Sequence, residues 1–414
     1  MSTDPTSSPR TSFHLGFNDS TLVLFGAAIL LVGAVLWAAQ MPHVEKTDFS
    51  LTYVGAAIVH SGEGHCLYDV ELQKQTRDSL FEHPNPLFFE HPPFEALLLS
   101  PLAALPFQAA YLVWGLFNVV LSLLLMVFLR PYLKWPREDL AYVCLWLLFA
   151  PLAVALYQGQ SSILLLAVYS ISFVQLKRER ELSAGIALGF GLIKFQFVLP
   201  LALIFLFRKR WRFLTGFLIS ACILGVVSIA TVGLRGVVEY ERFLLTIAGN
   251  PQNLSYGSAV DMPTIHGFLY AVLGQKINHT GLNIVSAFLS ILLLVWVARR
   301  WQSVKTESSA DLLFGAAVAA SLLAGLHMFT HDFSPLILAM FLAAAHFQKG
   351  VAGYRIPMAV SLAVFWSFPI YFLFVAWHCL YLMCPILFLF MYSGIRAAKY
   401  ANRLGLAEVE CVRE

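Results

Sequence analysis

Long apolar runs follow one another along most of this chain, and short basic stretches separate them. The runs lie near 20–40, 108–130, 139–157, 161–176, 211–232, 281–300, 311–329, 332–347, 355–374 and 377–395. A helix needs about 20 apolar residues to cross a bilayer. Charged residues make up only 12% of the chain and hydrophobic ones 59%, against about 25% and 45–50% in a soluble domain. Lipid is therefore the main solvent, and backbone in lipid must satisfy its own hydrogen bonds. These facts predict an all-α polytopic membrane protein with about 11–12 membrane helices. One membrane domain over 20–396 is expected between a mobile cytoplasmic tail, 1–19, and a cytoplasmic tail, 397–414. The first run is too long for the apolar part of a signal peptide and is expected to stay as an anchor. The six cysteines are scattered, with no CxxC pair, and read as small core hydrophobes. The net charge of +3 is small and calls for no nucleic-acid partner.

The distribution of charge says more than its sum. Basic clusters stand at Arg130, Lys134 and Arg137, at Lys177, Arg178 and Arg180, and at Arg208, Lys209, Arg210 and Arg212. Others are Arg299, Arg300 and Lys305, then Arg396, Lys399 and Arg403. Cytoplasmic loops carry excess Lys and Arg, so these clusters are expected inside, with both termini. The segments 41–107, 157–161, 233–280 and 327–332 are then expected outside. The stretch 183–207 has basic flanks at both ends and contains Lys194 and Pro200. It is expected to be a hairpin of two short helices turning at Lys194-Phe195-Gln196. Within 41–107, the stretches Tyr53–Val59 and Phe94–Leu105 are expected as helices in the membrane interface.

The polar residues of the outer side are the candidates for chemistry. Asp48 lies just beyond the first run, at the expected membrane–water boundary, with Phe49 and Tyr53 beside it. A carboxylate there suits a general base, and it also suits a helix N-cap. Lys194 is an ionisable group inside a membrane segment, which marks it as functional by default, and an ammonium is a point-charge partner for phosphate. Gln196 is placed to assist it. His327, His331 and Asp332 share a turn between two apolar runs and suit phosphate or sugar contacts; no metal is assigned to them. Gln160 lies in a tight outer turn, and Asn253 and Ser255 in a polar outer segment.

Several short motifs, taken in order, resemble a known family. They are Asp48-Phe49 with Tyr53, Gly64 to Asp69, Pro92-Pro93-Phe94 with Pro101-Leu102-Ala103, and Gly159-Gln160-Ser161. Gly185, Gly189 and Gly191 ahead of Lys194 follow, then Arg208 to Arg212. Over about 20–340 this order resembles the polyprenol-phosphate-mannose-dependent mannosyltransferases of glycosyltransferase family 87, in the GT-C superfamily. The resemblance implies a helical membrane enzyme with a lipid-linked donor in the outer leaflet and an aspartate base in its first outer loop, matched by Asp48. It also matches Asn253 and Ser255 to a later outer segment, and His327 or His331 to a late outer histidine. The implied partners are a polyprenyl-phosphate-linked sugar, a glycan or glycolipid acceptor and membrane lipids, with no cofactor. The rival class is a transporter or lipid-linked-sugar flippase. Transporters favour repeated halves with midplane sites, whereas this chain has no repeat and gathers its polar residues at one side.

Overall fold

The computed structural model describes residues 41–411 apart from 84, 134, 250–258, 275, 303–305 and 348–351. The expected anchor at 20–40, the tail 1–19, Asn253 and Ser255 lie outside the described residues. Within them every regular element is helical. The segment after the first run forms α1 (Phe49–His60), α2 (Val70–Leu80) and α3 (Pro93–Leu99). Next come α4 (Phe107–Leu129), α5 (Asp139–Leu147), α6 (Ala150–Gln158), α7 (Ser162–Lys177), α8 (Glu181–Gly189) and α9 (Phe195–Phe207). The chain continues through α10 (Trp211–Gly249), α11 (Ile265–Leu273), α12 (His279–Trp301), α13 (Glu307–Leu323) and α14 (Leu336–Phe347). It finishes with α15 (Ala352–Trp366), α16 (Phe368–Ala376) and α17 (Met383–Cys411).

Among the described residues, five stretches are long and apolar enough to cross a membrane, or seven if the bent pairs α5–α6 and α15–α16 each count as one span. The multi-pass architecture holds, while many of the expected 11–12 helices are shorter pieces. Apolar letters alone do not separate a full span from a short helix buried among others.

The centre of the bundle is α13 against α14. Nearly every residue from Leu312 to Leu323 and from Leu336 to Ala344 is buried. Alanine and glycine permit this approach. A Cβ added at Gly315 would lie 3.4 Å from the backbone of Ala339. Small residues let membrane helices close on one another where hydrophobicity supplies no driving force.

The stretch 181–207 would pass as a single 27-residue span by length and composition. It is not one, because Arg210 pairs with Glu181. A straight helix of that length would hold its ends roughly 40 Å apart. The chain instead rises through α8, turns through a 3-10 segment at Phe190–Lys194, and descends through α9. Lys194 stands at the apex with non-helical dihedrals, φ −124° and ψ 62°. The close packing of α8 on α10 explains the glycines before it: a Cβ at Gly185 would fall 1.9 Å from the carbonyl oxygen of Phe213.

A second, smaller core covers one end of the bundle. It joins Phe49, Tyr53, Val54, Leu67, Tyr68 and Phe89 to Val232 and Phe243 of α10. Gly233, with φ +72°, bends α10 there. The helix expected at 53–59 forms as part of α1 and packs into this core, burying Phe49, Ser50, Thr52, Tyr53, Val54, Gly55, Ala56 and Ile58. We call this end of the bundle the upper end. The lower end holds Lys177, paired with Glu307 and Asp311.

Candidate active site

Asp48 occupies the N-cap position of α1 but makes no side-chain cap bond. Its carboxylate turns to the 157–160 turn between α6 and α7. Gln160 Nε2 donates to Asp48 Oδ2 at 2.7 Å, and the Asp48 backbone N–H donates to Gln158 Oε1 at 3.2 Å. That turn is held from below by α4: Tyr111 donates to the carbonyl of Tyr157 at 2.6 Å and Trp114 Nε1 to that of Gly159 at 2.8 Å. Gly159 adopts φ +64°, and a Cβ on it would lie 2.6 Å from Phe49 Cβ. Only glycine takes that backbone without strain and lets α1 approach this closely.

The same glutamine reaches the hairpin apex. Lys194 Nζ donates to Gln160 Oε1 at 2.8 Å and to Asp332 Oδ1 at 2.8 Å. The amide thus gives a hydrogen to a carboxylate and receives one from an ammonium, and its reversed orientation would satisfy neither partner. Asp48 and Lys194 are joined through one amide and do not bond directly. Asp332 is 1% exposed and also accepts from Ser162 Oγ at 3.0 Å and the Phe329 N–H at 3.1 Å. His331 Nε2 lies 3.4 Å from its other oxygen. Burial alone would raise the Asp332 carboxyl, but His331 and Lys194 outweigh it and hold the group well below the usual range.

His327 stands on the same turn, its ring edge-on to Phe329 at 4.7 Å. Burial, with Lys194, His331 and His91 nearby, lowers it to about 3 against the pull of Asp332. It is neutral near pH 7, so it can offer a hydrogen bond but no charge.

Tyr53 is not brought to this network. Its hydroxyl donates to the carbonyl of Leu105 at 2.7 Å, and its ring packs on Phe49, Phe81 and Phe107. Gln196 follows Lys194 in the first turn of α9 and is half-buried. Among the described residues, no three His, Cys, Asp or Glu side chains are arranged to hold a metal ion.

Two groups that the letters did not single out join the site, Glu90 and His91. Their segment is clamped residue by residue. Gln73 bonds both the N–H and the carbonyl of Phe89, at 2.7 and 3.2 Å. Tyr240 donates to the carbonyl of Glu90 at 3.2 Å and Tyr68 to that of His91 at 2.7 Å. Phe89 itself lies on Gly55 of α1. Glu90 Oε2 is buried with no hydrogen-bond partner among the described residues. Burial first, and Asp48 with it, push the Glu90 carboxyl up to about 7, although His91 and Lys194 pull the other way. His91 Nδ1 lies 2.6 Å from the buried Glu95. Burial alone would lower His91, but the paired Glu95 raises it above its ordinary value. The spacing of His91 and Glu95 by four residues, beside two prolines that start a helix, was the sequence signal for this pair.

A multi-pass helical membrane protein with carboxylates, a lysine and histidines gathered at one end of its bundle is equipped for proton and phosphate chemistry at a membrane boundary. The sequence model of glycosyltransferase family 87 matches residues 88–329, more than half of the chain, and the chain belongs to that family. It is therefore a glycosyltransferase, and the transporter reading gives way. The matched stretch takes in Glu90, Gln160, Lys194 and His327, while Asp48, His331 and Asp332 lie outside it. No curated protein and no solved structure gives a significant match.

Proposed function

We propose that the protein moves a hexose, mannose first among the candidates, from a polyprenyl-phosphate donor to a hydroxyl of a glycan or glycolipid on the extracytoplasmic side, with inversion. The observation that carries this reading is the Asp48–Gln160–Lys194–Asp332 chain of hydrogen bonds at the upper end of the bundle. Asp48 accepts the proton of the acceptor hydroxyl as that oxygen attacks the anomeric carbon. The bond from that carbon to the phosphate oxygen breaks on the opposite face, and the lipid phosphate leaves with the electron pair. Base and leaving group on opposite faces are what single displacement at a sugar requires. An ammonium has three hydrogens, and two of those on Lys194 are engaged with Gln160 and Asp332. The third serves the phosphate oxygen where negative charge develops. His331 and neutral His327 add hydrogen bonds, and Gln196, Asn253 and Ser255 are assigned to the sugar and acceptor.

The direct test supplies the purified protein with polyprenyl phosphates carrying radiolabelled mannose or another hexose, with native membranes as acceptor. Label should pass to a glycan or glycolipid; no transfer from any of these donors would overturn the proposal. Sidedness has its own test. In a background without other cysteines, Lys74→Cys should react with an impermeant thiol reagent in intact cells and Arg178→Cys should not; the reverse pattern inverts the topology.

Glu90 is assigned to a sugar hydroxyl beside Asp48, and it works in its protonated form. A carboxyl at about 7 in the fold and about 4.5 when unfolded keeps its proton longer in the folded state. Stability therefore falls as pH rises from 4.5 to 7, because the unfolded chain ionises first. Glu90→Gln should gain thermal stability on the wild type between pH 5 and pH 7.5, and should lose the alkaline fall in transfer rate near pH 7. Parallel unfolding curves at both pH values would remove the protonated carboxyl from the site.

A further inference from the structure

The run His91-Pro92-Pro93-Phe94-Glu95 brings two opposite charges together within one turn. Pro92 is the N-cap of α3 and Pro93 its first residue, and both prolines restrict the backbone. His91 Nδ1 lies 2.6 Å from Glu95 Oε2. Both atoms are buried, and neither has any other hydrogen-bond partner among the described residues. The ring packs on Phe89 with centroids 5.6 Å apart, and Tyr68 holds the His91 carbonyl. The imidazole is thus fixed in place with a carboxylate against one nitrogen. A carboxylate so placed orients the ring and favours its charged form.

The two partners differ in exposure. The Glu95 side chain is 2% exposed and that of His91 25%. Since Nδ1 is covered, the exposure belongs to the opposite edge of the ring, which carries Nε2. Charges from two other elements act there. Burial and Lys194 lower His91, but Glu95, with Glu90, outweighs them. His91 in turn helps to lower His327. A second cation–carboxylate pair, from the first outer segment, therefore stands within electrostatic reach of the Lys194–Asp332 pair.

Resting on the sugar-transfer reading, we propose that His91 is a second cationic donor to the leaving lipid phosphate, its Nε2–H bonding a phosphate oxygen as the sugar departs. The movement of charge gives the reason. The acceptor hydroxyl passes its proton to Asp48, the bond from the anomeric carbon to the phosphate oxygen breaks, and the electron pair stays on the phosphate. A singly charged phosphodiester becomes a doubly charged monoester while the carboxylate becomes neutral. The total charge is unchanged; it shifts from Asp48 to the phosphate. Cations beside the phosphate favour that shift. The Lys194 ammonium is already shared with Gln160 and Asp332 and has a single hydrogen left to give. His91 supplies the second charge and keeps its own proton throughout.

The test measures the affinity of the full chain, in phosphatidylcholine nanodiscs at pH 7.5, for two probes: a polyprenyl phosphate and its methyl ester. The first is a dianion there, because a phosphate monoester loses its second proton near pH ~6, and the second is a monoanion. Neither carries a sugar, so the result does not depend on which hexose is transferred. His91→Gln with Glu95→Gln removes the pair as a unit and strands neither charge. It should weaken binding of the monoester about tenfold or more, the worth of a hydrogen bond between charged groups, and of the methyl ester by less than about threefold. Glu95→Gln alone, the milder change, withdraws support from the imidazolium and should show the same split. Equal losses for the two probes in both variants would make the pair structural, and no loss for either probe would place His91 away from the phosphate; each result overturns the inference. The transfer reading is judged apart from this, by whether the wild type moves labelled sugar.

Discussion

Asp48→Asn should lower the rate of sugar transfer by at least 10²–10⁴-fold, the contribution usual for a positioned base, while the protein folds as before. The fold is expected to survive because the carboxylate does no structural work that an amide cannot do. It makes no cap bond in α1, and the bond it accepts from Gln160 can equally be accepted by the asparagine oxygen. What asparagine cannot do is take a proton from a hydroxyl. The measurement is the transfer rate with the unfolding temperature recorded alongside. A variant as active as the wild type would remove the base, and with it the mechanism built on the carboxylate.

The second large effect concerns Lys194. Lys194→Met leaves Asp332 buried at 1% exposure without its ammonium, and an ion pair broken from one side in the interior costs about 3–5 kcal/mol. The single variant should therefore lose both stability and donor binding, and it cannot separate the two roles. Lys194→Met with Asp332→Asn removes both charges, and such a pair often costs little once both partners are neutral. The double variant should recover much of the unfolding temperature and still bind the polyprenyl-phosphate donor far more weakly than the wild type. Wild-type donor affinity in a stable double variant would make Lys194 a structural group only.

The hairpin and its lysine show how far letters can reach. Basic residues at both flanks of 183–207 required both ends on one side, and a charge in the middle required an apex away from hydrocarbon. The Glu181–Arg210 pair and the bonds of Lys194 at the upper end agree with that logic. Tyr53 shows the opposite. Its place beside Asp48 in the sequence does not carry over to the network: its ring packs on Phe49, Phe81 and Phe107, because α1 is buried on most of its faces. Glu90 and His91 were not singled out for a related reason. A Glu-His pair in a polar loop is ordinary until Gln73, Tyr68 and Tyr240 fix its backbone and burial withdraws its water.

Which apolar helices cross the membrane whole was left undecided on a similar ground. Apolar composition reports that a residue avoids water; it does not report whether lipid or protein replaces it. The central α13 and α14 are buried in the bundle, whereas α4 and α12 leave much of their apolar surface exposed on its outside, as a span does.

By itself the sequence determined that this chain is a bundle of helices in a membrane, that its two ends differ in charge, and that Asp48 and Lys194 are anomalies demanding a role. Those are properties of local composition, set by the cost of placing charge in hydrocarbon. Tertiary structure alone decided that Gln160 couples Asp48 to Lys194, that Asp332 neutralises that lysine, and that Glu90 is buried where both their charges act on it. Hydrogen bonds between groups 34 to 138 residues apart depend on how helices stack, and no local pattern of letters encodes a distance.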